Sequence, residues 1–146
     1  MMDALFEEMK ACAREQDLPI LRDSELPLFT GIVASCRPSR VLEIGTCIGY
    51  SALQMAPFLA PGGTITTIEL DRERYDLACR FFRRSPYASV ITALHGDGTE
   101  LAGALPGPLP DRADLQEAGV RHRLPEGNQG VLYAPERGRQ DCCCSR

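Results

Sequence analysis

The sequence predicts an α/β fold in which short strands alternate with helices to build the N-terminal half of a doubly wound, mostly parallel sheet. Three observations carry this. Apolar or β-branched runs at residues 41–44, 64–70 and 89–94 are separated by helix-length segments, and that alternation implies βαβ units with right-handed crossovers. The first run leads straight into the glycine turn Gly45-Thr46-Cys47-Ile48-Gly49, with a helix following at once. The second ends on an acidic residue, Glu69, 20 residues beyond Gly49.

Residues 3–16 carry Leu5, Met9 and Cys12 at helical spacing, with Glu7 and Glu8 early and Arg14 late as a helix dipole favours, so a lead-in helix is predicted. Pro19 and Pro27 bracket Ile20 and Leu21 in an extended or turn segment. A second helix follows over residues 25–36, capped by Asp23 or Ser24 and stopped by Pro38. After the first strand and its turn, residues 51–59 read as helix, and Pro61, Gly62 and Gly63 close the unit before the β-branched strand at 64–70. Asp71 then caps a helix that runs to Arg84, with Tyr75, Leu77, Ala78, Phe81 and Phe82 roughly on one face. The third strand, at 89–94, is followed by a short helix over residues 99–105. Pro106, Pro108 and Pro110 then break the chain, and residues 113–118 offer one more brief helical piece. Residues 120–146 are rich in Arg, Gly, Glu and Cys without apolar periodicity, and are expected to be poorly ordered. The expected organisation is thus a helical lead-in at 1–38, a ligand-binding α/β unit at 39–119 and a tail at 120–146.

With 146 residues and 44% hydrophobic content, the chain is long enough for one domain with its own core. A formal net charge of -4 argues against holding nucleic acid by bulk electrostatics, although a local basic face stays open. Lys10 is the single lysine among the basic residues, a codon-bias signature without functional weight. No run approaches the length of a membrane span and the N-terminus lacks the pattern of a secretory signal, so a cytoplasmic location is expected. The seven cysteines include Cys142, Cys143 and Cys144 but no Cys-x-x-Cys pair, and free thiols in a reducing compartment are the plain expectation.

Three segments carry chemistry. A glycine turn between a buried strand and a helix lets backbone amides approach a ligand and aims the helix terminus at a negative group, carboxylate or phosphate equally; the same turn also occurs for packing alone. Its spacing, Gly-x-x-x-Gly, is not the Gly-x-Gly-x-x-Gly of a pyrophosphate-binding dinucleotide fold. A carboxylate at the end of the second strand, where Glu69 stands, offers two acceptors to two adjacent ribose hydroxyls; its blander role is a helix N-terminal charge, which Asp71 and Glu73 also supply. After the third strand, His95-Gly96-Asp97-Gly98 places Asp97 where an adenine amino group needs an acceptor, or is merely a polar turn. All three lie at the carboxyl ends of successive parallel strands, where ligands bind in open α/β sheets.

The run Val41-Leu42-Glu43-Ile44-Gly45-Thr46-Cys47-Ile48-Gly49-Tyr50-Ser51, followed by Thr66-Thr67-Ile68-Glu69-Leu70-Asp71, resembles the small O-methyltransferases that include the catechol and caffeoyl-coenzyme A enzymes and the bacterial tRNA 5-hydroxyuridine methyltransferases. The lead-in Arg14-Glu15-Gln16-Asp17-Leu18-Pro19-Ile20 is similar to the tRNA-modifying branch in particular, and the resemblance extends to about residue 100. It implies a Rossmann-like class I methyltransferase fold, S-adenosylmethionine as cofactor, and methyl transfer to an oxygen of a phenolic compound or of tRNA, in an assembly that in the family is commonly a homodimer. It further implies that Glu43, Gly45 and Gly49 shape the pocket around the methionine part of the cofactor, that Ser51 hydrogen-bonds its carboxylate, and that Glu69 holds the ribose and Asp97 the adenine edge.

Beyond residue 100 the family pattern stops. The family's next strand ends on an aspartate that binds a divalent metal such as Mg in the metal-dependent members, and an Asp-Asn pair follows its fifth strand; here Asn128 is the only asparagine and no aspartate precedes it. Metal ligands and a catalytic base therefore have no assignable position, and the expectation is a fold truncated after its third strand, with residues 41–44 left as an apolar sheet edge. The codons possible for Val120-Arg121-His122-Arg123-Leu124, read one base later, can encode the family's Phe-Asp-Ile-Val-Phe, so a frameshift is one hypothesis, which the nucleotide sequence tests. A catalytically inactive cofactor-binding fragment is the alternative to an active O-methyltransferase, and a nicotinamide-dependent oxidoreductase fails on the glycine spacing.

Overall fold

A computed structural model describes residues 2–105 and 130–134, and these described residues form four strands and five α-helices. Helix α1 (Met2–Glu15) buries Leu5, Met9 and Ala13, the stripe its periodicity predicts, with Asp3 in its first turn and Arg14 in its last. Helix α2 (Leu26–Cys36) begins one residue later than expected. Neither Asp23 nor Ser24 caps it: Glu25 is the cap residue, and its carboxylate instead accepts the Arg22 amide at 3.0 Å and the Arg22 guanidinium at 2.6 Å. Arg37, in the left-handed region at φ 45°, closes the helix with its amide donating to the Val33 carbonyl. This helix is almost wholly apolar yet buries no residue fully, and Leu28 and Ile32 face outward.

Strand β1 (Arg40–Ile44), the short helix α3 (Tyr50–Met55) with a 3-10 turn over Ala56–Phe58, strand β2 (Thr64–Glu69), helix α4 (Arg72–Arg84), strand β3 (Ile91–His95) and helix α5 (Gly98–Ala104) follow in the predicted alternation. Pro57 explains why the helical segment tightens after Met55. Asp71 caps α4 as expected, its carboxylate accepting the Arg74 amide at 2.9 Å.

β1 pairs parallel with β2, setting Val41 beside Ile65 and Glu43 beside Thr67, and β2 pairs parallel with β3, setting Glu69 beside His95. A fourth strand, β4 (Gly130–Ala134), lies antiparallel on the other side of β1 with Leu42 opposite Leu132, so the order is β3-β2-β1-β4. This corrects two expectations: β1 is not an edge, and the segment beyond residue 120 contributes a sheet element. A five-residue run such as Gly130-Val131-Leu132-Tyr133-Ala134 is too short for period-counting to separate from its polar surroundings, and the unpaired amides and carbonyls of an apolar strand supply what it binds to. The remainder of the segment 120–146, and the brief helical piece expected at 113–118, lie outside the described residues.

Strand alternation divides the apolar residues between two faces. Val41, Ile65 and Ile91 pack with α1, α3 and α4 in the main core, around Met9, Ile48, Leu53 and Phe81. Leu42 and Ile68 face the other way, against Ile44, Leu94 and the α5 residues Leu101 and Ala102. Among the described residues, no helix is long and apolar enough to cross a membrane.

Candidate functional site

The site is built where β1, β2 and β3 end. Glu43 follows Val41 by two positions and shares its face, pointing into the core beneath α3, and it is fully buried. Register supplies its first partner: Thr67 lies beside it on β2, and the Thr67 hydroxyl donates to Oε2 at 2.6 Å. The Ser51 hydroxyl, from the first turn of α3, donates to Oε1. Thr46 joins the chain, its Oγ1 lying 2.6 Å from that of Thr67. Because the single Thr67 proton is given to Glu43, Thr46 donates to Thr67, and the order is Thr46 to Thr67 to Glu43, with Ser51 arriving from the other side. Burial pushes the Glu43 carboxyl up to about 7, against the two hydroxyl donors that favour its charged form, and the nearby Glu69 carboxylate adds to the rise.

The glycine turn closes largely upon itself. The Gly45 and Thr46 amides both reach the Ile68 carbonyl, at 2.8 and 3.2 Å, and the Gly49 amide reaches the Thr46 carbonyl at 2.8 Å. Gly45, Cys47 and Gly49 all have positive φ, at 94°, 52° and 85°. Gly49 is constrained a second time, since a Cβ there would sit 2.4 Å from the Phe82 ring; its lack of a side chain lets α4 close onto the turn. The glycines expected to shape a ligand pocket thus also carry packing.

Glu69 is 7% exposed and is held at both oxygens, Oε2 accepting the Cys47 amide at 2.7 Å and Oε1 the Asp71 amide at 2.9 Å. It therefore fastens the end of β2 to the glycine turn, and each oxygen keeps a second lone pair beyond those bonds. The Gly96 amide donates to the Glu69 carbonyl at 2.9 Å, which brings the turn carrying Asp97 alongside. Asp97 itself caps α5, accepting the Thr99 amide at 2.7 Å and the Thr99 hydroxyl at 2.5 Å. Those bonds, the hydroxyl first, hold its carboxyl below the usual range. The His95 ring lies 5.5 Å from that of Tyr75, and its Nε2 is 3.1 Å from the Leu70 carbonyl.

Of the six residues expected from the sequence, Glu43 and Ser51 touch directly, Gly45 and Gly49 form the turn above them, and Glu69 is tied to that turn through Cys47. Asp97 stands on the neighbouring strand end. Sequence reasoning assigned no role to Thr46 and Thr67. The signal was present in the strand pattern Thr64-Ile65-Thr66-Thr67-Ile68-Glu69, where Thr67 is an inward polar position that needs a partner, but only the register identifies Glu43 as that partner. Among the described residues, no three His, Cys, Asp or Glu side chains gather to hold a metal ion.

Solved structures give the class. The O-methyltransferase of Bacillus cereus, in complex with SAH, superposes with a TM-score of 0.65 at 21% identity, over 73% of this chain and 50% of that one, and fixes the fold as that of the Rossmann-like methyltransferases. TomG, an O-methyltransferase of Streptomyces achromogenes solved with SAM, matches with a TM-score of 0.64 at 26% identity, over 73% of this chain and 48% of that one. The sequence model of the O-methyltransferase family matches residues 9–105, and the chain belongs to that family. Among curated relatives, the caffeoyl-CoA O-methyltransferase of Stellaria longipes is 27% identical over 51% of this chain and 31% of its own length, and the catechol O-methyltransferase of Mus musculus 33% identical over 41% and 23%. A protein-L-isoaspartate O-methyltransferase of Bordetella avium is 35% identical over 72% of this chain and 40% of its own. The chain spans well under half the length of these relatives.

Proposed function

We propose that the chain binds S-adenosylmethionine at the ends of β1 to β3 and serves methyl transfer to an oxygen. The observation that carries this is the placement of Glu69, which two backbone amides fix at the strand end beside the glycine turn, with acceptor capacity left for the two hydroxyls of a ribose. The residues present fit the cofactor: Ser51 stands beneath the turn where a carboxylate needs a hydroxyl donor, and Asp97 offers an acceptor on the next strand end. When bound, S-adenosylmethionine supplies an electrophilic methyl group on a sulfonium. The part of this chain is to hold the donor in one orientation, so that displacement by an acceptor oxygen proceeds in line.

The acceptor we favour is a hydroxyl on an aromatic or heteroaromatic ring. The similarity of residues 14–20 to the tRNA-modifying branch supports 5-hydroxyuridine of tRNA within that class, and the caffeoyl-CoA and catechol relatives support a small phenol. A second reading is a binding module without turnover: the family match, residues 9–105, takes in the strands β1 to β3 whose ends form the proposed cofactor site.

The test is a calorimetric titration of the 146-residue chain with S-adenosylmethionine beside a Glu69→Ala control. Saturable binding to the parent that the control loses supports the site; equal binding by both removes Glu69 from it. Methyl release onto a phenol panel or onto unmodified tRNA then separates enzyme from binding module.

A further inference from the structure

The hydroxyl chain through Glu43 stands against a ligand carboxylate at Ser51 unless Glu43 changes its protonation, a change that rests on S-adenosylmethionine being the ligand. A hydroxyl has one proton, and the proton of Ser51 is given to Glu43 as long as Glu43 is a carboxylate. In that state Ser51 presents only lone pairs to anything else, and a ligand carboxylate arriving there would meet an acceptor instead of a donor, with a second buried anion immediately behind it. Both disadvantages vanish if Glu43 is the donor. A protonated Glu43 gives its own proton to Ser51 Oγ, Ser51 turns its proton away from Glu43, and the anion behind the ligand is gone. The one covalent change is the O–H bond that Glu43 forms with a proton from solvent; the rest is reversal of these hydrogen bonds.

We infer that Glu43 is a proton-linked positioning residue for the cofactor site, taking up one proton as a ligand carboxylate engages Ser51, with Thr67 and Thr46 holding the carboxyl in register for the exchange. Three features of the fold support this. Glu43 is fully buried and, among the described residues, no basic side chain acts on it, so no ion pair there opposes its neutral form. Its two oxygens bond to hydroxyls, which reverse from donor to acceptor without moving, whereas backbone amides could not. The titratable groups on the described elements around it are Glu69 at the end of β2, Cys47 in the glycine turn, Tyr50 on α3, Lys10 on α1, and Asp97 and Glu100 at α5; of these Glu69 acts on Glu43, and its charge also favours proton uptake.

The sign follows from the free protein, in which Glu43 titrates at about 7. Well below that pH the proton is already in place and binding takes up none; above it, binding takes up close to one, and affinity falls by about tenfold per pH unit. The experiment is titration of the full chain with S-adenosylhomocysteine between pH 6 and 8.5, each pH in two buffers of different ionisation enthalpy, so that the slope of heat against buffer enthalpy counts protons. The α-amino group of the ligand titrates near the top of this range, but it does so equally with a Glu43→Gln variant, whose amide donates permanently. The expected result is uptake that rises toward one proton in the parent and is absent in Glu43→Gln, with the parent-to-variant affinity ratio falling about fivefold between pH 7 and 8 and approaching tenfold per unit above that. Thr67→Ser should keep the uptake and Thr67→Val should shift its midpoint. Binding by the parent with no proton uptake at any pH overturns the inference while leaving the cofactor reading intact, and the parent alone decides this if Glu43→Gln fails to fold. No saturable binding in any buffer overturns the cofactor reading itself, and this inference with it.

Discussion

Glu43 is the residue at which burial and chemistry oppose each other most directly. Its carboxyl titrates at about 7 in the fold and near 4.5 when free of it, so the folded state holds the proton more tightly. The stabilisation from that proton is fully present below pH 4.5 and is lost as pH rises through 7, the reverse of a salt-bridged acid. Across that window the loss is on the order of 3 kcal/mol. Glu43→Gln, which cannot ionise, should therefore gain on the parent between pH 5 and pH 8 by that order, read as the change in the difference of their urea midpoints; a difference that stays flat with pH would show that Glu43 does not titrate in this window. Gly49 is limited by geometry. An alanine there must hold φ near 85° and place its Cβ 2.4 Å from the Phe82 ring. The backbone term costs roughly 1–2 kcal/mol and the overpacking a further 1–3 or so. Gly49→Ala should lower the urea midpoint accordingly, while Gly62→Ala, also at positive φ but with open space around it, should show the backbone term alone.

At the scale of elements, α4 shows how much local sequence decides. Asp71 caps it, Glu73 lies in its first turn, Arg83 and Arg84 in its last, and Ala78, Phe81 and Phe82 on its buried face, so cap, dipole and stripe agree. Asp71→Ala should cost about 1 kcal/mol in thermal or urea unfolding, and Asp71→Asn much less, since the amide oxygen still accepts the Arg74 amide. Helix α2 is the contrary case. Asp23 and Ser24 looked equally able to cap it, but Arg22 and Glu25 bond to each other instead, and no spacing rule ranks a local ion pair against a cap. The same limit governs the site. The glycine turn and Glu69 were legible because their positions relative to strand ends are fixed by the chain itself. Thr67 was not, because its partner Glu43 lies 24 residues away in sequence and only the parallel register of β1 and β2 makes them neighbours. Asp97 was legible as a position but not in its structural role, since its capping bonds to Thr99 depend on where α5 starts.

For the molecule as a whole, the decisive element is the one without a sequence signature. β1 carries Glu43, leads into the glycine turn and contributes Val41 and Leu42 to opposite faces of the core, so the site is only as rigid as the strand. On one side it is held by β2, whose register is enforced by buried contacts from Ile65 to Ile68. On the other it is held by β4, with all five residues from Arg40 to Ile44 opposite Gly130 to Ala134. Without that strand the outer amides and carbonyls of β1 would lie unpaired at the edge of an apolar sheet, a template for pairing with another chain. A variant ending at Gln129 should therefore self-associate, seen as a rise in light-scattering mass with concentration, and the β1 amides turned toward β4 should exchange their hydrogens faster than those turned toward β2. A proline in place of Val131, which lies opposite Glu43, has no amide to donate and fits a paired strand poorly, so Val131→Pro in the full chain should give a milder form of the same asymmetry. If the shortened chain stays monodisperse and its β1 amides keep their protection, β1 draws its order from β2 and the helices alone, and the site needs nothing beyond residue 105 to hold its shape.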